Sequence, residues 1–425
     1  GMAVVHYRIP GTAMNHLIAS SRSGTLSVPR GEEGAIEFAA EMAASGPVGM
    51  LPADFGRAIK DLGAELGTKA AWHAAGVTLT APPETLAPAL ALMARSIREP
   101  AFDTQEWIVT RAEMLDELGR REGDLDDVAI RYAESALLQQ PDAARIDRSF
   151  ASVSALTLDQ VKAITPRVFN PEGMTFHSTG PSTIEEIAAA LDAAFGDWVS
   201  AAEPLPAVEH AEPAFPTSSR VLLVPEAGAS QAAVLVAIPA PSFGTADYPA
   251  ANAVANVLAY DFVSRINAVI REEKAYTYGT GGAVYGASLR NGSILTVEAP
   301  VERDTVGPAL EEIANGFASL ATDLVRQDEL QRSIVNSHLA IASIPETAVD
   351  LFDSLWNQVS GGSTLEDLYA FRAAMTGLVL PDVQAEGRTL SSLDRALIVV
   401  VGDPEAVLPQ LREFGLPVEV VERDL

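Results

Sequence analysis

The sequence contains no cysteine, which excludes disulfides and thiolate metal sites and fits a reducing or an oxidising compartment equally. Basic residues are scarce: 29 Lys and Arg stand against 57 Asp and Glu, a formal net charge of −28. So acidic a chain is repelled by nucleic acid and by anionic lipid, which are both bound through basic patches. Its charge favours solubility and basic or peptide ligands, and does not identify a fold. No run of 18 or more apolar residues occurs, so no membrane-spanning helix is expected. No secretory signal peptide opens the chain. Gly1 before Met2 reads as the scar of a cleaved tag, so the start reports no compartment, and periplasmic and cytoplasmic locations both stay open. The His residues, at 6, 16, 73, 177, 210 and 338, include no pair at the i, i+4 spacing of a helical zinc site.

What is present is enough for more than one core: 425 residues, 48% of them hydrophobic. Gly34–Ser45 reads as a helix with Ile36, Phe38 and Met42 inward, Ala53–Leu66 as a second, and Thr68–Thr80 as strand. Helices follow over Glu84–Arg98, Asp103–Gly119, Leu125–Leu138 and Thr157–Val168, then a strand at Met174–Ser178 and a helix at Thr183–Phe195. Ser200–Ser219 has four prolines and no periodicity, and is expected to be an extended linker between domains 1–199 and 220–425.

The second half repeats the first. Pro88-Ala89-Leu90 matches Pro308-Ala309-Leu310 at an offset of 220, Glu106 matches Glu329 at 223, and Val161 and Gly180 match Val383 and Gly402 at 222. A register that drifts by so little points to duplication. Strands, helices, strand, helix in each half is an α+β pattern, a mainly antiparallel sheet with helices packed on one face.

One stretch, Ser264–Gly282, stands out. An apolar stripe (Val254, Val257, Leu258, Phe262, Ile266, Val269) predicts a long helix over Pro249–Ile270, stopped by Arg271-Glu272-Glu273-Lys274. Tyr276 and Tyr278 then alternate into a strand, with a hairpin to Pro300 turning at Arg290-Asn291-Gly292. Arg271 offers a permanent, planar, multi-donor cation and Tyr278, seven residues on, a neutral hydroxyl. On these residues alone two readings stand: both face one polar group of a ligand, or Arg271 pairs with a nearby Glu while Tyr278 is a half-buried strand aromatic.

With both halves read, the chain resembles the insulinase/pitrilysin-like metallopeptidases, the inverzincins. SRINAVIREEKAYTYG and IVVVGDP carry the likeness in the second half; GAIEFAAEM, LALMARSIREPAF and TRAEMLDEL carry it in the first. The resemblance implies two similar α/β-roll domains per unit, and two units closing around a peptide chamber. It also implies a zinc motif, His-x-x-Glu-His, on the first helix, with a distal Glu. The matching positions here are Glu37, Ala40 and Glu41, with Glu117 as the distal acid. Both His ligands and the general base are replaced, so no hydrolysis by this chain alone is expected, and zinc only in a catalytic partner. Glu37, Glu41 and Glu117 form at most a carboxylate cluster suited to magnesium or calcium; the alternative is a solvated helix face.

The same resemblance implies that Arg271 and Tyr278 hold substrate backbone beside the partner's scissile bond, their tips meeting on the concave face between the domains. Ala275-Tyr276 departs from the family's usual Gly and apolar pair, which bears on the local turn. The chain is thus expected to be a non-catalytic subunit, or the C-terminal part of a fused protein. Its partners are a zinc-bearing homologous subunit and a peptide, with a homodimer when isolated. The alternative is a structural scaffold without a role in proteolysis.

Overall fold

The structure, a computed structural model, describes residues 2–138, 148–206, 208, 212–285, 292–343 and 347–423. These form two compact units. Unit 1 comprises Gly1–Leu118, Gln140–Glu209 and Ala342–Thr364; unit 2 comprises Gly119–Gln139, His210–Ile341 and Leu365–Leu425. Each unit therefore takes in one segment from the other half of the sequence, which the consecutive division into 1–199 and 220–425 does not contain.

In chain order the first elements are β1 (Ala3–Arg8), β2 (Asn15–Ser21), α1 (Ala35–Ala44), α2 (Pro52–Asp61), β3 (Glu65–Ala71) and β4 (Ala74–Ala81). Then come α3 (Leu86–Arg98), α4 (Thr104–Glu122), α5 (Leu125–Leu137), α6 (Phe150–Ala155), α7 (Leu158–Val168), β5 (Met174–Gly180) and α8 (Ile184–Phe195). The helix expected over Ala53–Leu66 ends at Asp61, because Gly63 takes a left-handed φ of +65° and the chain turns directly into β3. The described residues of Ser200–Ser219 contain no helix or strand.

The sheet of unit 1 runs β1-β5-β2-β4-β3, with β1 parallel to β5 and the other neighbours antiparallel. Leu17, Ala19, Met174 and Phe176 point from one face into a core shared with α1, α3, α7 and α8. Phe38 of α1 stacks on Trp107 of α4 at 4.4 Å between ring centroids.

Unit 2 is built from β6 (Arg220–Pro225), β7 (Gln231–Ala240), α9 (Tyr248–Ala255), α10 (Arg265–Asn267), β8 (Gly281–Tyr285) and β9 (Ser293–Glu302). The rest of the chain gives α11 (Val306–Thr322), α12 (Gln327–Ser343), α13 (Ala348–Gly361), α14 (Leu365–Thr376), α15 (Leu380–Thr389), β10 (Leu397–Gly402), α16 (Pro404–Phe414) and β11 (Val418–Val420). Its sheet follows the same order and senses as β6-β10-β7-β9-β8, with β11 added parallel to β6.

Strand residues alternate between faces, and the opposite face of each sheet is covered by the segment taken from the other half. In unit 2, Ile398 and Val400 enter the main core, while Leu397, Val399, Val401 and Leu235, equally buried, face the other way where α5 packs on β7 and β10. In unit 1, α13 lies on β2, β4 and β5 and sets Phe352 and Trp356 against Ile18 and Ala74.

The long helix expected over Pro249–Ile270 is interrupted. α9 passes into a π-turn at Asn256–Tyr260, the chain leaves the helix at Asp261, and α10 restarts from Ser264 before a second π-turn at Ala268–Glu273. The whole stretch Tyr248–Glu273 is long and apolar enough to cross a membrane by length and composition, yet 61% of its apolar window is buried within the protein, as befits a core helix. Phe262 fits the apolar stripe at helical spacing, but the break turns it outward. The strand expected from Tyr276 starts only at Gly281, and Arg290 and Asn291 of the expected turn lie outside the described residues.

The face of the unit 1 sheet beneath α13 is polar. The Thr179 hydroxyl donates to the Ala348 carbonyl at 2.8 Å, Lys69 pairs with Asp353 at 2.9 Å, and the His16 ring lies 6.0 Å from that of Phe352. Burial pushes the pKa of His177 from 6.5 down to about 4, and burial also lowers His16, against the raising effect of Asp353. Above pH 6.5 neither the folded nor the unfolded chain protonates His177, and stability is complete. As the pH falls from 6.5 towards 4 the unfolded chain takes the proton first, and unit 1 loses about 3 kcal/mol from this group. Urea titrations across that range should show the loss, and His177→Phe should flatten it. An unchanged acid limb in the variant would assign the titration to another group.

Candidate functional site

Unit 2 gathers the two residues of the Ser264–Gly282 stretch. Arg271 sits in the second π-turn, a distortion that often marks functional positions. After it the chain folds back tightly: the amides of Lys274, Ala275 and Tyr276 donate to the carbonyls of Val269, Arg271 and Ile270 at 3.0, 3.2 and 2.8 Å. Ala275 takes a left-handed φ of +54° to make this turn. The family's usual glycine would adopt that conformation at no steric cost, so the departure seen in the sequence keeps the turn and places strain in it.

The turn delivers Arg271 and Tyr278 to one pocket of about 370 Å³, lined also by Gln231, Tyr276, Thr277 and Glu302. Part of the second reading of the pair holds: Arg271 Nη1 is 3.4 Å from Glu272 Oε1. The guanidinium also lies over Phe262, its Cζ 4.1 Å from the ring centroid, so the exposed Phe262 steadies the cation by about 0.5–1 kcal/mol. Tyr278 is not a half-buried strand aromatic; it is 89% exposed and precedes the strand.

Asn267, buried in α10, was not legible as a site residue. Its Nδ2 donates to the Phe262 carbonyl at 2.6 Å and its Oδ1 accepts from the Thr280 amide at 3.1 Å. One amide thus ties the break that carries Phe262 to the loop that carries Tyr278. The Thr280 hydroxyl adds a bond to the Ala259 carbonyl at 3.1 Å. Arg265 anchors α10 to α12 through two bonds to buried Glu329, at 2.9 and 2.8 Å. A polar Asn inside an apolar stripe was the available signal; its partners lie across a helix break that periodicity does not show.

In unit 1 the zinc-motif positions do not fit zinc. Ala40 is buried and has no group to take a proton. Arg148, which precedes α6, donates from Nη1 to Glu37 Oε1 at 2.9 Å and from Nη2 to Glu117 Oε2 at 2.7 Å. Glu41 instead accepts from the Thr68 hydroxyl on β3; burial raises its pKa first, and Glu113 raises it further against the lowering by Thr68. The cluster of Glu37, Glu41 and Glu117 that the sequence left open does not form: two of its acids share a guanidinium and the third turns to β3. Among the described residues no three His, Cys, Asp or Glu side chains are placed to hold a metal ion. Arg148 carries no motif, and its position 111 residues after Glu37 hid it from sequence reasoning.

Residues 155–336 match the family model described as the peptidase M16 inactive domain. Over 95% of its length the chain superposes on 96% of a peptidase M16 inactive domain from Pseudomonas fluorescens, with a TM-score of 0.79 and 18% identity. It covers 97% of a protease from Helicobacter pylori with 94% of its own length, at a TM-score of 0.81 and 15% identity. A chain of complex III2 from Candida albicans, solved with Inz-5 bound, shares the fold at 0.75 and 13% identity, with 99% of this chain and 98% of that one covered. No curated protein matched in sequence. The architecture is a two-unit α+β fold like that of these structures. Residues 155–336 are thus similar to the inactive domain of the M16 peptidases, and the whole described chain shares the fold of the solved structures above.

The strain at Ala275 makes a direct prediction. Left-handed backbone costs a non-glycine residue about 1–2 kcal/mol, and glycine's extra unfolded-state freedom returns roughly 0.5–1 kcal/mol of that. Ala275→Gly should raise the urea midpoint of unit 2 by the equivalent of about 0.5–1 kcal/mol with an unchanged m-value. A lowered midpoint would mean that the turn is not strained.

Proposed function

We propose that this chain is a non-catalytic M16 subunit that forms half of a peptide-binding chamber and lends Arg271 and Tyr278 to a zinc-bearing homologous partner. The observation that carries the proposal is the pocket of unit 2, lined both by a cation steadied over Phe262 and by an exposed phenol on a loop tied down by Asn267. A peptide carbonyl under attack by water gains negative charge on its oxygen. Donors held ready for that oxygen, or for a neighbouring carbonyl, lower the barrier. Arg271 offers a fixed charge and Tyr278 a directional hydroxyl, and neither needs the chain to supply a metal. The absence of a proton acceptor at Ala40 and the guanidinium of Arg148 between Glu37 and Glu117 support a division of labour in which the partner carries the zinc. The matching strand order of the two sheets supports descent by duplication.

The second reading, an assembly scaffold, is favoured by the likeness to a chain of complex III2. The test separates the two. With a zinc-motif homologue reconstituted beside this chain, Arg271→Ala or Tyr278→Phe should cut peptide hydrolysis by roughly tenfold or more, the loss of a well-placed donor, while gel filtration shows the assembly intact. Mutants with intact assembly and unchanged turnover would leave the scaffold role.

A further inference from the structure

The misfit between the zinc motif and the residues of unit 1 has a consequence of its own. We infer that Arg148 is a resident cation standing in for a metal ion, and that it makes the α1–α4 junction of unit 1 independent of metal. Its two terminal nitrogens serve carboxylates from two different helices, Glu37 of α1 and Glu117 of α4, at 2.9 and 2.7 Å. A guanidinium suits this bridging task, since its planar fork presents several donors at fixed angles and keeps its charge at any working pH. The Arg148 and Glu37 side chains are 13% and 14% exposed, and Glu117 is 45% exposed. The bridge is therefore largely withdrawn from water on the α1 side and wet at its α4 end.

The surroundings hold the arginine in place. Ser149 and Ser152 form a reciprocal capping box at the start of α6, which fixes the backbone next to Arg148. Gly34, at the N-terminus of α1 with a φ of +99°, lets α6 pack closely on the start of α1: a Cβ there would lie 3.3 Å from Val153 Cγ2 and 3.4 Å from Leu156 Cδ1. The charges explain why a cation is wanted. Glu41 lies one turn beyond Glu37 and is in electrostatic contact with Glu113, one turn before Glu117. The two helices thus bring acids of like sign towards one another, and Arg148 neutralises one of the two facing pairs.

The experiment is a thermal melt of the full chain with and without 1 mM Mn²⁺ or Zn²⁺. Arg148→Met keeps the stem and removes the charge, leaving Glu37 and Glu117 facing each other across a cation-sized gap. Its Tm should fall by about 5 °C or more, and added Mn²⁺ or Zn²⁺ should restore several degrees, whereas the wild type should not move. Adding Glu37→Gln and Glu117→Gln to Arg148→Met should recover stability without metal and abolish the metal response. Should Arg148→Met fail to fold, soluble and metal-insensitive triple variant would still support the inference, and an insoluble triple variant would overturn it. A melting point for Arg148→Met within 1 °C of wild type, or an equal metal response in both proteins, would also overturn it.

Discussion

A β-strand has two faces, and a single layer of helices covers only one. That constraint organises both units. β10 is apolar at every position, so its sheet has to be closed on both sides, and α5 supplies the second cover in unit 2. In unit 1 the corresponding face is partly polar, and α13 closes it with Phe352 and Trp356 together with a salt bridge and a hydroxyl bond. In each case the cover comes from the other half of the sequence. The outcome is that the domains are not consecutive stretches of chain, although their sheets are traced in one order.

The two covers differ in what they ask of the solvent. Beneath α5 the buried residues of β7 and β10 are aliphatic and carry no group that titrates. Beneath α13 lie His16 and His177, whose pKa values burial lowers, for His177 to about 4. Acid therefore weakens unit 1 as it protonates His177, whereas on α5 burial, with Asp124 and Glu298 nearby, raises the pKa of Asp126.

The candidate site in unit 2 depends on a helix that is not allowed to remain regular. Two π-turns and a break convert one apolar stripe into a core segment, an exposed aromatic and a cation facing a pocket. Asn267 holds the parts in register, and Ala275 makes the return turn in a conformation that its side chain disfavours. Local strain of this kind persists because the surrounding bonds fix the backbone; here those are the closing turn at Val269–Ile270 and the Asn267 bonds.

Much of this was determined by the sequence alone. Apolar periodicity gave most helices, the offsets of 220–223 gave the parallel between the halves, and the family resemblance implied that Glu37, Ala40 and Glu41 stand where zinc ligands and base would be. The residues alone left Arg271 and Tyr278 open to two readings, and the family resemblance singled out the pair. Periodicity describes only neighbours along the chain, however, and it read a single helix through Asp261 because Phe262 keeps the apolar spacing while facing outward. The partners of Glu37 and Glu117, the role of Asn267 and the segments that close each sheet are contacts between residues distant in sequence. Their geometry is set by packing, where a buried acid needs a cation within reach and an apolar sheet face needs a cover, wherever in the chain the residues that meet those needs are encoded.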